Sequence, residues 1–355
     1  MAAPGDLVVG EPGHRPGSPR SGRLARRWRG GPRAVSGLPA RSHLHRLLAS
    51  GQFVVTAELQ ATDSPDPESV YRLADLLRGS VDAVNCTDNS AAHPHISPLA
   101  AGHLLLDRGV EPIVQLACRD RNRLALQADL VGAVALGARN VCLMTGDDVT
   151  AGDHPEAKPI YDIDAVHAIQ IARIMRDRGI YVSGRRLDRP LPLFIGAVEN
   201  PFAPPHDFRP MRLGKKVEAG AEFVQTQIVF NLATMRVFMA RSGELGLLDR
   251  VFILPSVYVC RSAGAARYLR DMVPGIDVPD SVIARIEGVP SERQADEGIR
   301  IALEIVEELR EMRGVAGVHL ISIKGDESIV RLVEEAGLLP RPAGFSVNGG
   351  LHGAE

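Results

Sequence analysis

The stretch Phe53–Leu59, which reads FVVTAEL, is a short apolar and β-branched run that carries a glutamate near its end. A near-continuous apolar run of this length is typical of a strand buried on both faces of a parallel sheet. Similar runs recur along the chain at intervals that leave room for a helix. They predict strands at Phe53–Glu58, Val81–Cys86, Glu111–Leu116, Arg139–Met144, Leu193–Val198, Glu222–Gln227, Val251–Ser256 and Gly317–Ser322.

Helical periodicity fills the segments between and after these runs. The predicted helices are Pro67–Arg78, Ser97–Asp107, Arg121–Leu136, Ile163–Arg178, Asp207–Ala219, Leu232–Arg241, Ala263–Met272, Glu292–Met312 and Glu327–Glu335. This succession of β/α units predicts a single (β/α)8 TIM barrel. An open doubly wound sheet is the alternative, but the sequence contains neither GxGxxG nor GxxxxGKS/T, the phosphate-binding motifs expected there.

The composition limits the class of protein. Hydrophobic residues make up 45% of the 355 residues and the mean hydropathy is −0.01, which allows a sizeable core and excludes disorder of the whole chain. The net charge of −2 does not favour a nucleic-acid partner. No apolar run reaches the roughly 18 residues of a membrane-spanning helix. We therefore expect neither a nucleic-acid partner nor a membrane partner.

The chain divides unevenly into three parts. Residues 1–41 are rich in Gly, Pro and Arg and predict a disordered basic tail. Residues 42–340 hold the predicted barrel. Residues 341–355 predict a loose C-terminal tail.

The cysteines do not suggest metal or redox chemistry. Cys86, Cys118, Cys142 and Cys260 are too far apart in sequence to form a CxxC pair. Most of them fall in apolar runs, so we expect buried free thiols, as in a reducing cytoplasm. No HExxH or similar ligand spacing occurs, and we expect no metal site.

In a (β/α)8 barrel the active site lies at the carboxyl ends of the strands. Here those ends carry polar side chains, among them Glu58, Thr87, Gln115, Asp147 and Gln227. Strand-to-helix loops are commonly polar and Asp147 could simply cap a helix, but polar residues at every strand end favour a site. Amides, carboxylates and hydroxyls suit a polar heterocycle and one or two proton transfers. The sequence has neither a lysine within a predicted strand for a Schiff base nor a GxSxG motif.

From about Ser42 to Pro340 the sequence resembles methylenetetrahydrofolate reductase, a flavin-dependent (β/α)8 barrel. The resemblance is carried by FVVTAEL (Phe53–Leu59), VNCTDN (Val84–Asn89), QLACRDRNRLALQADLVGA (Gln115–Ala133), LMTGDD (Leu143–Asp148), GKKVEAGAEFVQTQ (Gly214–Gln227) and GVAGVHLIS (Gly314–Ser322). Their order and spacing are more specific than any single stretch. The chain looks closest to the subtype of bacteria with one-carbon and acetogenic metabolism.

The resemblance implies reduction of 5,10-methylenetetrahydrofolate to 5-methyltetrahydrofolate by hydride from a reduced flavin. Glu58 matches the family's general acid, which protonates N10 as the imidazolidine ring opens. Asp147 matches an aspartate that lies near both flavin and pterin, and Gln227 matches a glutamine that contacts folate. The family's flavin-contact positions fall on Thr87, Gln115, Thr145, Gly146, Asp147, Asn200 and Lys216.

Departures from the common bacterial form concern the cofactor. That form has arginine in place of Thr145 and histidine in place of Gln115. These changes fall on flavin and nicotinamide contacts, so FAD is the default cofactor, FMN is an alternative and a flavin-poor variant stays open. NADH or NADPH is the expected electron donor, with an electron-transferring partner subunit as the alternative.

Two other classes of protein stay open. One is a barrel enzyme that acts on a folate or pterin without flavin. The other is a non-catalytic subunit that binds flavin or folate inside a larger complex. The main interpretation is an enzyme of one-carbon metabolism and methionine biosynthesis that binds methylenetetrahydrofolate and forms a homo-oligomer.

Overall fold

The structure is a computed structural model that describes residues 40–59, 62–323, 327–342 and 345. Most of the predicted N-terminal and C-terminal tails lies outside these residues. The strands are β1 (Val54–Leu59), β2 (Ala83–Cys86), β3 (Pro112–Ala117), β4 (Asn140–Met144), β5 (Phe194–Glu199), β6 (Phe223–Ile228), β7 (Phe252–Tyr258) and β8 (Gly317–Ile321). The helices are α1 (His43–Ala49), α2 (Glu68–Leu77), α3 (Pro98–Asp107), α4 (Arg123–Ala135), α5 (Ala165–Arg178), α6 (Phe208–Ala219), α7 (Leu232–Glu244), α8 (Ala263–Met272), α9 (Asp280–Glu287), α10 (Gln294–Glu311) and α11 (Glu327–Glu335).

The strands form a closed parallel barrel in the order β1 to β8. Closure is made by β1 and β8, which pair in parallel from Val54 opposite Gly317 to Ala57 opposite Leu320. The predicted (β/α)8 fold is therefore confirmed, and the open-sheet alternative is wrong. Each predicted strand agrees with the observed one to within two residues at either end. All four cysteines are free and buried, as predicted.

Alternation along each strand separates the two faces of the barrel wall. In β1, Val55, Ala57 and Leu59 belong to the large apolar cluster between the strands and the helices. Val54 belongs instead to a second apolar cluster, which fills the inside of the barrel. The same alternation directs Thr56 and Glu58 toward the inside.

The inside of the barrel is apolar toward the amino ends of the strands. The rings of Phe194 and Phe223 stack with centroids 4.9 Å apart, and Phe252 lies against Phe194 at 6.4 Å. Gly196 makes room for this packing, because a Cβ there would lie only 2.2 Å from the Phe223 ring. These rings fill the barrel near the amino ends of the strands. The polar side chains of the interior lie closer to the carboxyl ends.

Helix α1, which we did not predict, closes the amino end of the barrel. Leu44, Leu47 and Leu48 pack into the interior cluster. The carboxylate of Glu111 accepts the backbone N–H groups of His43 at 2.9 Å and Leu44 at 2.7 Å. These donors belong to the first turn of the helix, which has no intrahelical acceptor for them. A buried glutamate therefore anchors the start of the helix.

The ends of the described chain contact the same face of the barrel. Arg41 donates to Glu222 at 2.5 Å. Arg341, in the segment that we predicted to be loose, pairs with buried Asp82 and donates to the carbonyl oxygen of Phe53 at 2.9 Å. No helix in the described ranges is long and apolar enough to cross a membrane.

Glu111 should make stability depend on pH. Burial raises the pKa of Glu111 from 4.5 to about 7, although the N–H groups of Leu44 and His43 oppose this shift. Because the pKa is higher in the folded state, the stabilising contribution is complete below pH 4.5 and is lost as pH rises through about 7. The shift corresponds to about 3 kcal/mol.

The measurement compares urea unfolding of the wild type and Glu111→Gln from pH 4.5 to pH 8. We expect the unfolding free energy of the wild type, relative to Glu111→Gln, to fall by about 3 kcal/mol across this range. The difference between the two proteins cancels other titrating groups, including His43 and His45, whose pKa values are lowered by burial. A difference that stays constant with pH would contradict the prediction.

Candidate active site

Glu58 lies near the carboxyl end of β1, where the interior of the barrel opens. Its side chain is 29% exposed, whereas the adjacent His319 side chain is 3% exposed. Glu58 Oε2 lies 3.7 Å from Nε2 of His319. The predicted acid thus lies between solvent and a buried histidine that sequence reasoning missed.

His319 belongs to a buried polar cluster with Thr56, Asn85 and Gln225. The amides of Asn85 and Gln225 bond to each other in both directions, at 2.8 and 3.0 Å. Nδ1 of His319 lies 3.0 Å from Thr56 Oγ1 and 3.3 Å from Gln225 Nε2. A sequence signal for this cluster existed, because each of these residues interrupts an apolar strand at an interior position.

Three of the predicted cofactor-binding side chains keep free hydrogen-bonding groups. Thr87 and Gln115 are nearly buried, and Thr145 is partly exposed. Within the described part of the chain, none of these three side chains makes a hydrogen bond. Hydroxyl and amide groups at the carboxyl ends of β2, β3 and β4 are therefore available to a bound molecule.

Gly146 follows Thr145 in the loop after β4. Its φ of 90° lies in the left-handed region that favours glycine, and a Cβ there would lie 3.1 Å from the Cβ atoms of Ala117 and Arg119. Glycine therefore lets the loops after β3 and β4 approach each other.

Gln227 lies at the end of β6 beside a change in strand register between Gln225 and Ile228. Its Oε1 accepts the backbone N–H of Ile228 at 2.9 Å. Its Nε2 has no partner among the residues that the structure describes. Gln227 is partly exposed and presents a free amide donor at the barrel mouth.

Asp147 is exposed in the loop after β4 and holds the loop after β2. Its Oδ2 accepts the backbone N–H of Ala91 at 2.9 Å. Ala91 has a φ of 53° and nearby Asn89 a φ of 46°, conformations that carry strain in residues other than glycine. Asp148, and not Asp147, caps the short helix that follows, since it accepts the N–H of Thr150 at 2.9 Å.

Arg119 joins the loops after β2, β3 and β4. Its buried guanidinium donates to the carbonyl oxygens of Asn89 at 3.0 Å and Asp147 at 3.3 Å. It also donates twice to Asp120, at 2.7 and 2.8 Å, and this bonding lowers the pKa of Asp120. The arginine therefore fixes the three loops around the site and is not available to a ligand.

Lys216 and Asn200 are already engaged inside the protein. Lys216 Nζ lies 2.7 Å from Glu199 Oε2, and both side chains are at most 3% exposed. Burial lowers the pKa of Lys216, and Glu199 opposes this effect. Asn200 donates to the carbonyl oxygen of Gly275 at 3.0 Å and accepts the N–H of Phe202 at 2.9 Å. Binding a cofactor through either residue would require an exchange of these contacts.

No group of His, Cys, Asp or Glu side chains in the described ranges could hold a metal ion. The chemistry available at the rim is that of the Glu58 and Asp147 carboxyl groups, several amides and hydroxyls, and a buried imidazole.

Fold and site together define a (β/α)8 barrel protein with an acidic and amide-lined site at the carboxyl ends of its strands. The chain belongs to the methylenetetrahydrofolate reductase family, whose sequence model matches residues 43–337. It is 24% identical over 245 residues to "Methylenetetrahydrofolate reductase 2" of Schizosaccharomyces pombe, covering 64% of this chain and 36% of that protein. It is 23% identical over 233 residues to "Probable methylenetetrahydrofolate reductase (NADPH)" of Caenorhabditis elegans, covering 65% of this chain and 33% of that protein. The chain thus spans about a third of the length of these relatives.

Solved structures share the fold at low sequence identity. An uncharacterized protein from Clostridium thermocellum that binds two copies of 5-methyl-5,6,7,8-tetrahydrofolic acid superposes with a TM-score of 0.61 at 13% identity, over 84% of this chain and all of that one. DmoA from Hyphomicrobium sulfonivorans gives a TM-score of 0.52 at 12% identity, over 79% of this chain and 86% of that one.

Proposed function

We propose that this chain reduces 5,10-methylenetetrahydrofolate to 5-methyltetrahydrofolate, with Glu58 as the general acid. The observation that carries the proposal is the Glu58 carboxyl at the mouth of the barrel, 3.7 Å from a buried imidazole, in a member of this family. The solved barrel that binds a methyltetrahydrofolate supports folate as the ligand class.

Glu58 would supply the proton that the reaction consumes. The methylene carbon of the substrate bridges N5 and N10. The bond from this carbon to N10 breaks, N10 takes the proton from Glu58, and the carbon, now attached only to N5, accepts a hydride. The product is an N5-methyl group. General acid catalysis of this kind is typically worth about 10²–10⁴-fold in rate.

Gln227 and Asp147 are the proposed folate contacts. The free amide donor of Gln227 suits an acceptor of the pterin ring. The Asp147 carboxylate accepts only one hydrogen bond from the described residues, through Oδ2, so Oδ1 can accept N–H groups of the substrate. Both residues lie at carboxyl ends of barrel strands, where Glu58 also lies.

The unpaired polar groups of the rim support a flavin as the cofactor. Thr87, Gln115 and Thr145 would hold it through hydroxyl and amide groups, and Gly146 would add backbone contacts without a side chain. A bound flavin, as FAD or alternatively FMN, would supply the hydride once it is reduced by NADH, NADPH or an electron-transferring partner subunit. Asn200 and Lys216 remain predicted contacts that would have to exchange their present partners.

Absorption spectroscopy on the purified chain tests the proposal. We expect a flavin spectrum that NADH or NADPH bleaches under anaerobic conditions and that methylenetetrahydrofolate restores, with formation of methyltetrahydrofolate. Folate turnover by a colourless protein would favour the barrel enzyme without flavin. The chain could also bind flavin or folate and show no turnover with either a nicotinamide or a chemical reductant. That result would favour the non-catalytic subunit.

Asp147→Asn should slow folate reduction and weaken folate binding. The amide oxygen of asparagine can still accept the Ala91 N–H, so the loop keeps its structure, but the charge is lost. We expect the largest change in the folate half-reaction, measured by stopped flow. The matched control is Asp148→Asn, which keeps a good capping residue and should leave both rates unchanged. Equal rates for Asp147→Asn and the wild type would remove Asp147 from the site.

We further propose a cytoplasmic homo-oligomer. The four buried free thiols support a reducing compartment. Sedimentation of the purified chain would measure the oligomeric state directly.

A further inference from the structure

The polar cluster beneath Glu58 is unusual for the inside of a barrel. Interior layers of this fold are mostly filled by bulky branched side chains. Here Thr56, Asn85, Gln225 and His319 occupy interior positions, and each is at most 3% exposed. Burying polar groups costs free energy unless they are hydrogen-bonded to one another. The hydrogen bonds among these four side chains meet this condition. The ring of His319 also lies next to Glu58, which connects the cluster to the predicted acid.

The amide of Gln225 favours one of the two tautomers of His319. Asn85 Nδ2 donates to Gln225 Oε1, so Gln225 directs its own Nε2 toward Asn85 Oδ1 and toward the ring. Gln225 Nε2 is a donor that lies 3.3 Å from His319 Nδ1 and 3.4 Å from Thr56 Oγ1. When this donor bonds to Nδ1, Nδ1 accepts, and a neutral ring then carries its hydrogen on Nε2. That nitrogen is the one that faces Glu58.

We infer that His319 is a positioning residue for Glu58: Gln225 and Thr56 hold its ring so that Nε2–H points at the Glu58 carboxyl. This inference rests on the proposed role of Glu58 as the acid. The separation of 3.7 Å is longer than a hydrogen bond, and such contacts often tighten when substrate binds. The N–H group would orient the carboxyl before proton transfer and stabilise the carboxylate formed by it.

Two substitutions separate this role from a packing role. The side-chain nitrogen of glutamine can reach the position of the histidine Nε2, so His319→Gln retains a donor toward Glu58. The shorter His319→Asn can bond only near the position of Nδ1. We expect His319→Asn to lower kcat about 10- to 100-fold with little change in KM, and His319→Gln to stay within a few-fold of the wild type. Equal kcat losses in both variants, or none in either, would overturn the inference.

Nitrogen NMR tests the ring itself without turnover. In the wild type labelled with ¹⁵N-histidine, the signal absent from His319→Gln identifies this ring among the 11 histidines. We expect a neutral ring protonated on Nε2, with an Nε2 shift that changes in Glu58→Gln. A ring protonated on Nδ1, or an Nε2 signal indifferent to Glu58→Gln, would overturn the inference even in an active enzyme. If the wild type binds folate without reducing it, the proposed function is wrong. The NMR result would still show whether His319 Nε2 contacts Glu58.

Discussion

Glu58→Gln is expected to lower the rate of folate reduction by about 10²–10⁴-fold, the usual contribution of a general acid. Glutamine keeps the size of the side chain, and its oxygen can still face Nε2 of His319. The buried polar cluster should therefore remain intact, and the unfolding free energy should change little. In the proposed reaction, the variant can no longer supply the proton that N10 receives. Stopped-flow measurement of the folate half-reaction gives the effect.

The reductive half-reaction is the internal reference for this variant. Reduction of the cofactor by NADH or NADPH needs no proton from Glu58, so its rate should stay within a few-fold of the wild type. Glu156→Gln is the matched control, because Glu156 is a largely exposed glutamate in the loop after β4 that lies 3.9 Å from His154. Folate reduction by Glu58→Gln within a few-fold of the wild type would show that another group is the acid.

The fold was predictable because the barrel repeats one local pattern. Each strand is a short apolar run between turns and helices, and the barrel buries both of its faces, so the hydrophobic pattern and the structure coincide. Helices α1 and α9 were not predicted, since they stand outside the β/α repeat. Helix α1 has only seven residues, and its stability comes from Glu111 and the interior apolar cluster, which are distant in sequence.

The candidate site was predictable where a residue ends a strand. Glu58 and Gln227 lie at the barrel mouth because the carboxyl ends of parallel strands converge there. His319 was missed because it lies inside β8, where a polar residue is easily taken for a neutral interruption. Its importance depends on the pairing of β8 with β1, which places His319 opposite Thr56. The contacts of His319 with residues of β1 are therefore visible only in the closed barrel.

Lys216 is a residue for which the sequence suggested a cofactor contact and the structure shows an internal ion pair. A lysine near the mouth of a flavin barrel suggests a phosphate contact, and the sequence does not reveal that its ammonium is buried. The structure pairs it with Glu199, the last residue of β5, and both are almost completely enclosed. The pairing depends on how α6 packs against β5, and the local sequence pattern around Lys216 does not predict this packing.

Lys216→Met should therefore destabilise the protein by about 3–5 kcal/mol, the usual cost of leaving a buried charge without its partner. Glu199 would keep two contacts, the N–H of Asn200 at 3.0 Å and Arg209 at 3.9 Å, which favours the lower end of that range. Denaturant unfolding of the chain without added cofactor measures the loss, so that an effect on cofactor binding cannot contribute to it.

The double variant Glu199→Gln/Lys216→Met decides between a structural pair and a cofactor contact. Removing both charges leaves no uncompensated ion, so most of the stability lost in Lys216→Met should return. A lysine that bound the cofactor phosphate would behave differently. Its loss would raise the dissociation constant of the cofactor, the second substitution would not restore that affinity, and the unfolding free energy without cofactor would hardly change. Recovery of stability together with unchanged cofactor affinity would assign Lys216 to the barrel wall, and the phosphate would then need a different cation.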